Sequence, residues 1–167
     1  MPEANNLSQS QKQPVQANIQ AGQGGPRPTS QAEAVAGGQV KGSVLIADDD
    51  ITLRDMYQTR LETDSYKVLV SADGEETLQI VKDQKPDIVL LDIMMPKMNG
   101  LDVLAHMKKD EEMKKIPVII LTALIQDLTK VKSLMGGADD YLMKSEVMPG
   151  EVIKKVEKVM AKAKQMK

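Results

Sequence analysis

The amino-acid sequence predicts an α/β fold in which a doubly wound, five-stranded parallel sheet follows a disordered N-terminal tail. Five short apolar runs indicate strands buried on both faces, because such strands lack the polar alternation of half-exposed ones. Segments with apolar residues at helical spacing separate these runs. This alternation is typical of right-handed crossovers that cover both sides of a sheet. The usual order for five such strands is 2-1-3-4-5.

The composition is that of a globular domain with an appendage. Of 167 residues, 41% are hydrophobic and 28% are charged, and the net charge of −2 shows no basic bias toward nucleic acid. No apolar stretch approaches the roughly 20 residues that cross a bilayer, and the first residues do not resemble a signal peptide. The absence of cysteine excludes disulfides, thiol catalysis and zinc–thiolate sites. We therefore predict a cytoplasmic protein with no membrane partner.

Residues 1–42 differ from the rest of the chain. They are rich in Gln, Gly, Pro and Ser, and their apolar residues are isolated. So little apolar surface cannot offset the entropy of ordering, which predicts a disordered tail before a single folded domain over residues 43–167. A partner-binding or tethering role for the tail stays open.

The first predicted strand, residues 44–47, runs into three aspartates at positions 48–50. Asp50 can cap the following helix. Apolar residues at helical spacing define the inner face of that helix: Leu53, Met56, Tyr57 and Leu61. A second strand follows at residues 67–71. Asp73 and the two glutamates at 75 and 76 indicate the start of the second helix, with Leu78 and Val81 turned inward.

The third strand opens after Asp87 with an unbroken apolar run over residues 88–91, which places Asp92 at its carboxyl end. Pro96 and the pair at residues 99–100 end the loop after it, and the third helix begins there. Since ligands of open α/β sheets bind outside the carboxyl ends of the strands, Asp92 lies where chemistry is expected.

The fourth strand, residues 117–121, ends in Thr122. A fourth helix is predicted from four apolar residues at helical spacing: Ile125, Leu128, Val131 and Leu134. A short fifth strand, residues 141–143, ends in Lys144, and Pro149 opens a fifth helix. A charged loop is predicted between the third helix and the fourth strand.

Four motifs, in this order and at these spacings, resemble the receiver domain of two-component response regulators, the CheY-like superfamily. They are Val44-Leu45-Ile46-Ala47-Asp48-Asp49-Asp50, Leu90-Leu91-Asp92-Ile93-Met94-Met95-Pro96-Lys97-Met98-Asn99-Gly100, Thr122-Ala123 and Tyr141-Leu142-Met143-Lys144. The resemblance covers roughly residues 43–165. It implies a flavodoxin-like fold and a phospho-accepting aspartate at Asp92.

The resemblance also implies a Mg²⁺ site. Asp49 and Asp92 would bind the ion directly, Asp48 would act through water, and the backbone carbonyl of Met94 would complete the protein ligands. Carboxylates about 4 Å apart at an effective dielectric of about 20 repel by about 4 kcal/mol. A hard divalent cation with oxygen ligands relieves that repulsion.

Three further residues take roles from the resemblance. Thr122 and Lys144 would stabilise the phosphoryl oxygens, and Tyr141 matches the family's switch aromatic. Phosphorylation would add about two negative charges and bias a two-state equilibrium.

No pattern of an effector domain follows the fifth helix, so we expect a stand-alone receiver. The resemblance implies that it takes its phosphoryl group from a sensor histidine kinase or a histidine phosphotransfer protein. We expect His106, the one histidine, to be a surface residue and a poor phosphorelay group. The expected output is phosphorelay, or docking of a downstream protein on the face of the fourth helix, fifth strand and fifth helix, with a phosphorylation-linked homodimer also open. Without a helix-turn-helix pattern, we expect no direct DNA binding.

We expect a signalling receiver and not a turnover enzyme. Two alternatives stay open. One is a docking scaffold that works without phosphorylation, and the other is a hydrolase that uses an aspartyl-phosphate.

The chain departs from the family in two places. Ser145 follows Lys144 where proline is usual, and because a cis bond there costs about 3–4 kcal/mol, we predict a trans peptide. Met94 and Leu124 occupy positions where side chains in the family help or block an attacking water. Both are apolar, so we predict slow hydrolysis of a phosphoryl group on Asp92.

Overall fold

The computed structural model describes residues 39–123, 136–145 and 148–165. Five strands lie in these ranges: β1 (Ser43–Ala47), β2 (Lys67–Ser71), β3 (Ile88–Asp92), β4 (Val118–Thr122) and β5 (Asp140–Met143). The described ranges also hold four α-helices: α1 (Ile51–Thr63), α2 (Gly74–Gln84), α3 (Gly100–Lys109) and α4 (Pro149–Gln165). A 3-10 turn spans Met113–Lys115.

The five strands form one parallel sheet in the order β2-β1-β3-β4-β5, which confirms the predicted fold class and strand order. β1 and β3 are neighbours, and Ala47 pairs with Leu91 at their carboxyl ends. On the other side of β3, Asp92 pairs with Leu121 of β4. This register brings the residues after β1, β3 and β4 to one edge of the sheet.

The core consists of two layers, one on each face of the sheet. Side chains alternate along each central strand, so that Val44 and Ile46 face one layer while Leu45 and Ala47 face the other. One layer is completed by α1 and α4, and the second by α2 and α3. β3 and β4 are buried along their whole length, as their unbroken apolar runs predict.

Three helices begin at side-chain caps. Asp50 accepts from the N–H groups of Thr52 and Leu53 at 2.9 and 3.2 Å, which confirms the predicted cap of α1. Asp73 accepts from the N–H of Glu76 at 2.9 Å at the start of α2. In the same way, a side-chain oxygen of Asn99 accepts two N–H groups in the first turn of α3. These caps fix where the loops after β1, β2 and β3 end.

The structure differs from the sequence predictions at a few points. Met56 is 36% exposed and not part of the inner face of α1. The 3-10 turn lies inside the segment that was expected to be a charged loop. The predicted fourth helix and residues 1–38 of the predicted tail lie outside the described residues.

Three smaller predictions can be compared with the described part of the chain. No cis peptide bond occurs there, so the Lys144–Ser145 bond is trans, as predicted. His106 is exposed on α3. Among the described residues, no helix has both the length and the apolar character needed to span a membrane.

Candidate functional site

Three carboxylates meet at the carboxyl edge of the sheet. Asp48 follows β1 and is fully buried, Asp92 ends β3 and is 3% exposed, and Asp49 is exposed. One oxygen of each lies within 4.8 Å of an oxygen of the other two. The adjacency of β1 and β3 produces this cluster, since each aspartate follows directly from the paired strand ends. We call Asp48, Asp49 and Asp92 the acid cluster.

Lys144 lies between the two buried members of the acid cluster. Its Nζ is 2.7 Å from Oδ2 of Asp48 and 2.9 Å from Oδ2 of Asp92, and its side chain is only 13% exposed. The backbone N–H of Lys144 donates to the carbonyl of Thr122 at 2.8 Å, which holds the start of the loop after β5 against β4. The sequence placed Lys144 at this edge but did not predict that it bridges both aspartates.

The ion pairs and burial act against each other on the pKa values of this group. Burial alone would lower the pKa of Lys144, but the hydrogen bonds and charges of Asp48 and Asp92 raise it. Burial raises the pKa of Asp92, and the charge of Asp48 adds to that effect. Lys144 and the backbone N–H of Met94 oppose the rise. A carboxylate at Asp92 is therefore held in a costly environment that one lysine only partly relieves.

Backbone contacts fix the position of Asp48. Its N–H donates to the carbonyl of Ser71 at 3.1 Å, and its own carbonyl accepts from Nη1 of Arg54 at 2.7 Å. Its Oδ1 accepts from the N–H of Asp50 at 3.0 Å. Sequence reasoning missed Arg54. Its position one turn inside α1 is the signal that could have found it, because the side chain reaches back to the helix start.

Thr122 and Tyr141 occupy different places. Thr122 is buried at the end of β4, on the edge that carries the acid cluster. Tyr141 is half-buried on β5, paired with Ile120, and Nζ of Lys155 lies 5.3 Å from the centre of its ring. Nζ of Lys155 also lies 2.7 Å from the Tyr141 carbonyl. The switch role of Tyr141 stays a prediction.

The loop after β3 is held on two sides. Gly100 begins α3 so close to the Asp92 carbonyl that a Cβ there would collide with it, and its N–H donates to the carbonyl of Ile93 at 2.9 Å. Lys97, with a left-handed φ of 62°, lies 2.7 Å from Oδ2 of Asp73 at the start of α2. The sequence did not reveal either contact.

The donor set of this edge fits a hard metal ion. The acid cluster supplies oxygen ligands only, and the Met94 carbonyl follows Asp92 by two residues. Oxygen donors suit Mg²⁺ and Ca²⁺, whereas softer transition metals prefer nitrogen and sulfur. The cluster could therefore hold a metal ion at a position where two buried carboxylates share a single lysine.

Comparison with known families decides the identity of this arrangement. Residues 44–157 match the family model described as the response regulator receiver domain. The chain belongs to this family. This match confirms the family membership that the four sequence motifs predict.

Relatives and solved structures agree with that assignment. The receiver is 42% identical over 106 residues to the probable transcriptional regulator ycf27 of Guillardia theta. The aligned region covers 64% of this chain and 41% of the relative. It is 34% identical over 120 residues to the alkaline phosphatase synthesis transcriptional regulatory protein PhoP of Bacillus subtilis, covering 72% of this chain and 49% of the relative. A CheY-like receiver domain protein from Methanospirillum hungatei matches with a TM-score of 0.68 and 28% identity, over 77% of this chain and all of the other.

These relatives correct one sequence prediction. The chain spans about half the length of the curated relatives it matches, or less, and those relatives are named as transcriptional regulators. The prediction that DNA is not among the binding partners is therefore wrong. It rested on finding no helix-turn-helix pattern in a receiver, which is one part of the longer relatives.

Proposed function

We propose that this receiver accepts a phosphoryl group on Asp92 from the phosphohistidine of a kinase or phosphotransfer protein, with Mg²⁺ bound at the acid cluster. The observation that carries the proposal is the meeting of Asp48, Asp49 and Asp92 at one edge of the sheet, with Lys144 paired to Asp48 and Asp92. Perturbed, buried carboxylates with a specific charge partner are typical of functional sites.

The chain's own residues suit this transfer. An oxygen of Asp92 forms a bond to phosphorus while the bond from phosphorus to the donor's imidazole nitrogen breaks, and that nitrogen recovers a proton. Lys144 already lies 2.9 Å from Asp92, so its charge offsets the negative charge that arrives with the phosphoryl oxygens. Thr122 would offer a hydroxyl to the same oxygens.

The metal has a defined place in the proposal. Asp49, Asp92 and the Met94 carbonyl would hold Mg²⁺, and Asp48 would act through water. When bound, the ion neutralises charge on the carboxylates and the phosphoryl oxygens.

Incubation with acetyl phosphate and Mg²⁺, followed by intact mass measurement, tests the proposal. We expect one phosphoryl adduct that depends on Mg²⁺ and disappears in Asp92→Asn. Asp87→Asn is the matched control, because Asp87 precedes the same strand, is exposed, and binds the backbone N–H of Ser43 at 2.8 Å. It should keep the adduct.

The same experiment distinguishes the alternatives. A stable adduct with little phosphate release supports a receiver that is not a turnover enzyme. Continuous release of phosphate would support an aspartyl-phosphate hydrolase, and no adduct would support a scaffold that works without phosphorylation.

We further propose transcriptional regulation as the output that this receiver controls. The names of three relatives, which are 34–42% identical over the aligned residues, support it. Retention on sheared genomic DNA of the source organism, measured for the natural full-length protein before and after phosphorylation, tests this output. Loss of the phosphorylation effect in Asp92→Asn is expected, and no retention in either state would contradict the proposal. The stand-alone organisation and the cytoplasmic location both stay predictions.

A further inference from the structure

Two neighbouring methionines after the phospho-acceptor differ sharply in exposure. Met94 is 66% exposed, whereas Met95 is 9% exposed and packs in the layer of the core formed with α2 and α3. Among the described residues, only Met148, at 72%, is a more exposed methionine. A peroxide oxidises a thioether that solvent reaches far faster than one that packing covers.

The position of Met94 ties it to the reacting carboxylate. It lies two residues after Asp92, and its backbone N–H is near enough to the Asp92 carboxylate to lower the pKa of that group. The side chain of Met94 therefore starts beside the atoms that would carry a phosphoryl group. At present that side chain is apolar and offers water no strong acceptor.

We propose that Met94 is an oxidation site through which a peroxide shortens the lifetime of the phosphoryl group on Asp92. The inference rests on the proposed function of Asp92. In the step, the sulfur of Met94 takes one oxygen atom from hydrogen peroxide, which is reduced to water, while the thioether is oxidised to a sulfoxide.

The chemical consequence follows from the new oxygen. A sulfoxide oxygen is a strong hydrogen-bond acceptor, so it can hold a water molecule beside the phosphorus atom of phospho-Asp92. A positioned water attacks faster than one that must be ordered at the moment of reaction. The modification adds no charge and leaves the Met94 carbonyl available to a metal.

The test uses the whole chain. Native protein is treated with dilute hydrogen peroxide, the peroxide is removed with catalase, and peptide mass mapping locates the added oxygen. Treated and untreated protein are then phosphorylated with acetyl phosphate and Mg²⁺, and the decay of the adduct is followed by intact mass. We expect oxygen on Met94 well before Met95, and decay about three- to tenfold faster, which corresponds to about 0.6–1.4 kcal/mol of barrier.

Two variants assign the effect to one residue. In Met94→Leu, peroxide should leave the variant's own decay rate unchanged, because no thioether remains at that position. In Met148→Leu, which removes the other highly exposed methionine of the described ranges, peroxide should still accelerate the decay. Reduction by methionine sulfoxide reductases should restore the slow decay of the wild-type protein.

Several outcomes would overturn the inference. These are unchanged decay in protein oxidised at Met94, equal oxidation of Met95 in the native state, acceleration that persists in Met94→Leu, or acceleration that disappears in Met148→Leu. If untreated protein forms no adduct at all, the proposed function of Asp92 fails and this inference with it. A normal adduct whose decay ignores oxidation contradicts the inference alone.

Discussion

The aspartates at the two ends of β3 have opposite environments. Asp87, before the strand, is exposed, and its Oδ2 accepts from the N–H and Oγ of Ser43 at 2.8 and 2.9 Å. Asp92, at the other end, is 3% exposed and lies beside a second buried carboxylate. An aspartate therefore links β3 to β1 at the amino edge of the sheet, whereas another aspartate adds to a concentration of negative charge at the carboxyl edge.

A second acid at the amino edge shows the same contrast. Asp110 accepts from the N–H groups of Glu112 and Met113, both at 2.9 Å, and these bonds lower its pKa. At the carboxyl edge, burial raises the pKa of Asp92. The hydrogen bonds of Asp110 therefore favour its charged form in the folded state, whereas burial beside Asp48 disfavours the charged form of Asp92. Such a cost is expected where function, and not stability, selects the residues.

The largest expected effect comes from removing the one cation between the buried carboxylates. Lys144→Met should lower the free energy of unfolding by about 3–5 kcal/mol, because it leaves the buried carboxylates of Asp48 and Asp92 without a cationic partner. Urea unfolding measures this loss, and added Mg²⁺ should recover part of it. Lys97→Met is the control: it breaks a pair in which Lys97 is 57% exposed, so its effect should be far smaller. An equal loss of unfolding free energy in the two variants would contradict the difference between the buried and the exposed ion pair.

A second test concerns the close approach between α3 and the acceptor strand. Gly100→Ala should lower stability by about 1–3 kcal/mol and slow phosphorylation, since the new methyl group would push on the Asp92 carbonyl. Thermal unfolding and adduct formation measure both effects. Gly150→Ala, also in the first turn of a helix but with nothing within 4 Å of a Cβ, should be neutral or slightly stabilising. A loss in Gly150→Ala as large as that in Gly100→Ala would refute the steric explanation.

A smaller effect of opposite sign is expected from neutralising the acceptor itself. Asp92→Asn should raise the free energy of unfolding by about 1 kcal/mol in metal-free buffer, because it removes a buried charge beside Asp48 and leaves Lys144 paired. Asp87→Asn should lower stability, since the charge that accepts from Ser43 is lost. Urea midpoints in EDTA compare the two, and a destabilised Asp92→Asn would show that the acceptor stabilises the fold.

The smallest effect is a pH dependence at the start of α2. The N–H of Glu76 and then Lys97 lower the pKa of Asp73, so its stabilising contribution is complete above the ordinary aspartate pKa of about 3.9. That contribution is lost as the pH falls through the lowered value. The difference in urea midpoint between wild type and Asp73→Asn should therefore be present at neutral pH and vanish in stronger acid. A difference that grows on acidification would contradict the assigned direction.

The fold could be predicted almost completely because its signals are local. Apolar runs predict the central strands, and the position of Asp50 is enough to predict that it caps α1. Met56 was misplaced because helical spacing leaves residues at the border of the inner face undecided, and the 3-10 turn has no strong sequence signal.

The site could be predicted in its membership but not in its contacts. Strand order and family resemblance brought Asp48, Asp92 and Lys144 to one edge. Two contacts of the site could not be predicted: the bridge from Lys144 to both carboxylates, and the pair of Lys97 with Asp73. Each joins side chains that are 24 or more residues apart in the sequence, and each depends on the direction in which those side chains point. Helical spacing and strand alternation carry no information at that range.

The backbone bond from Lys144 to the Thr122 carbonyl has a mechanical consequence. That hydrogen bond joins the main chains at the ends of β4 and β5. A main-chain displacement at either Lys144 or Thr122 therefore acts on the neighbouring strand as well.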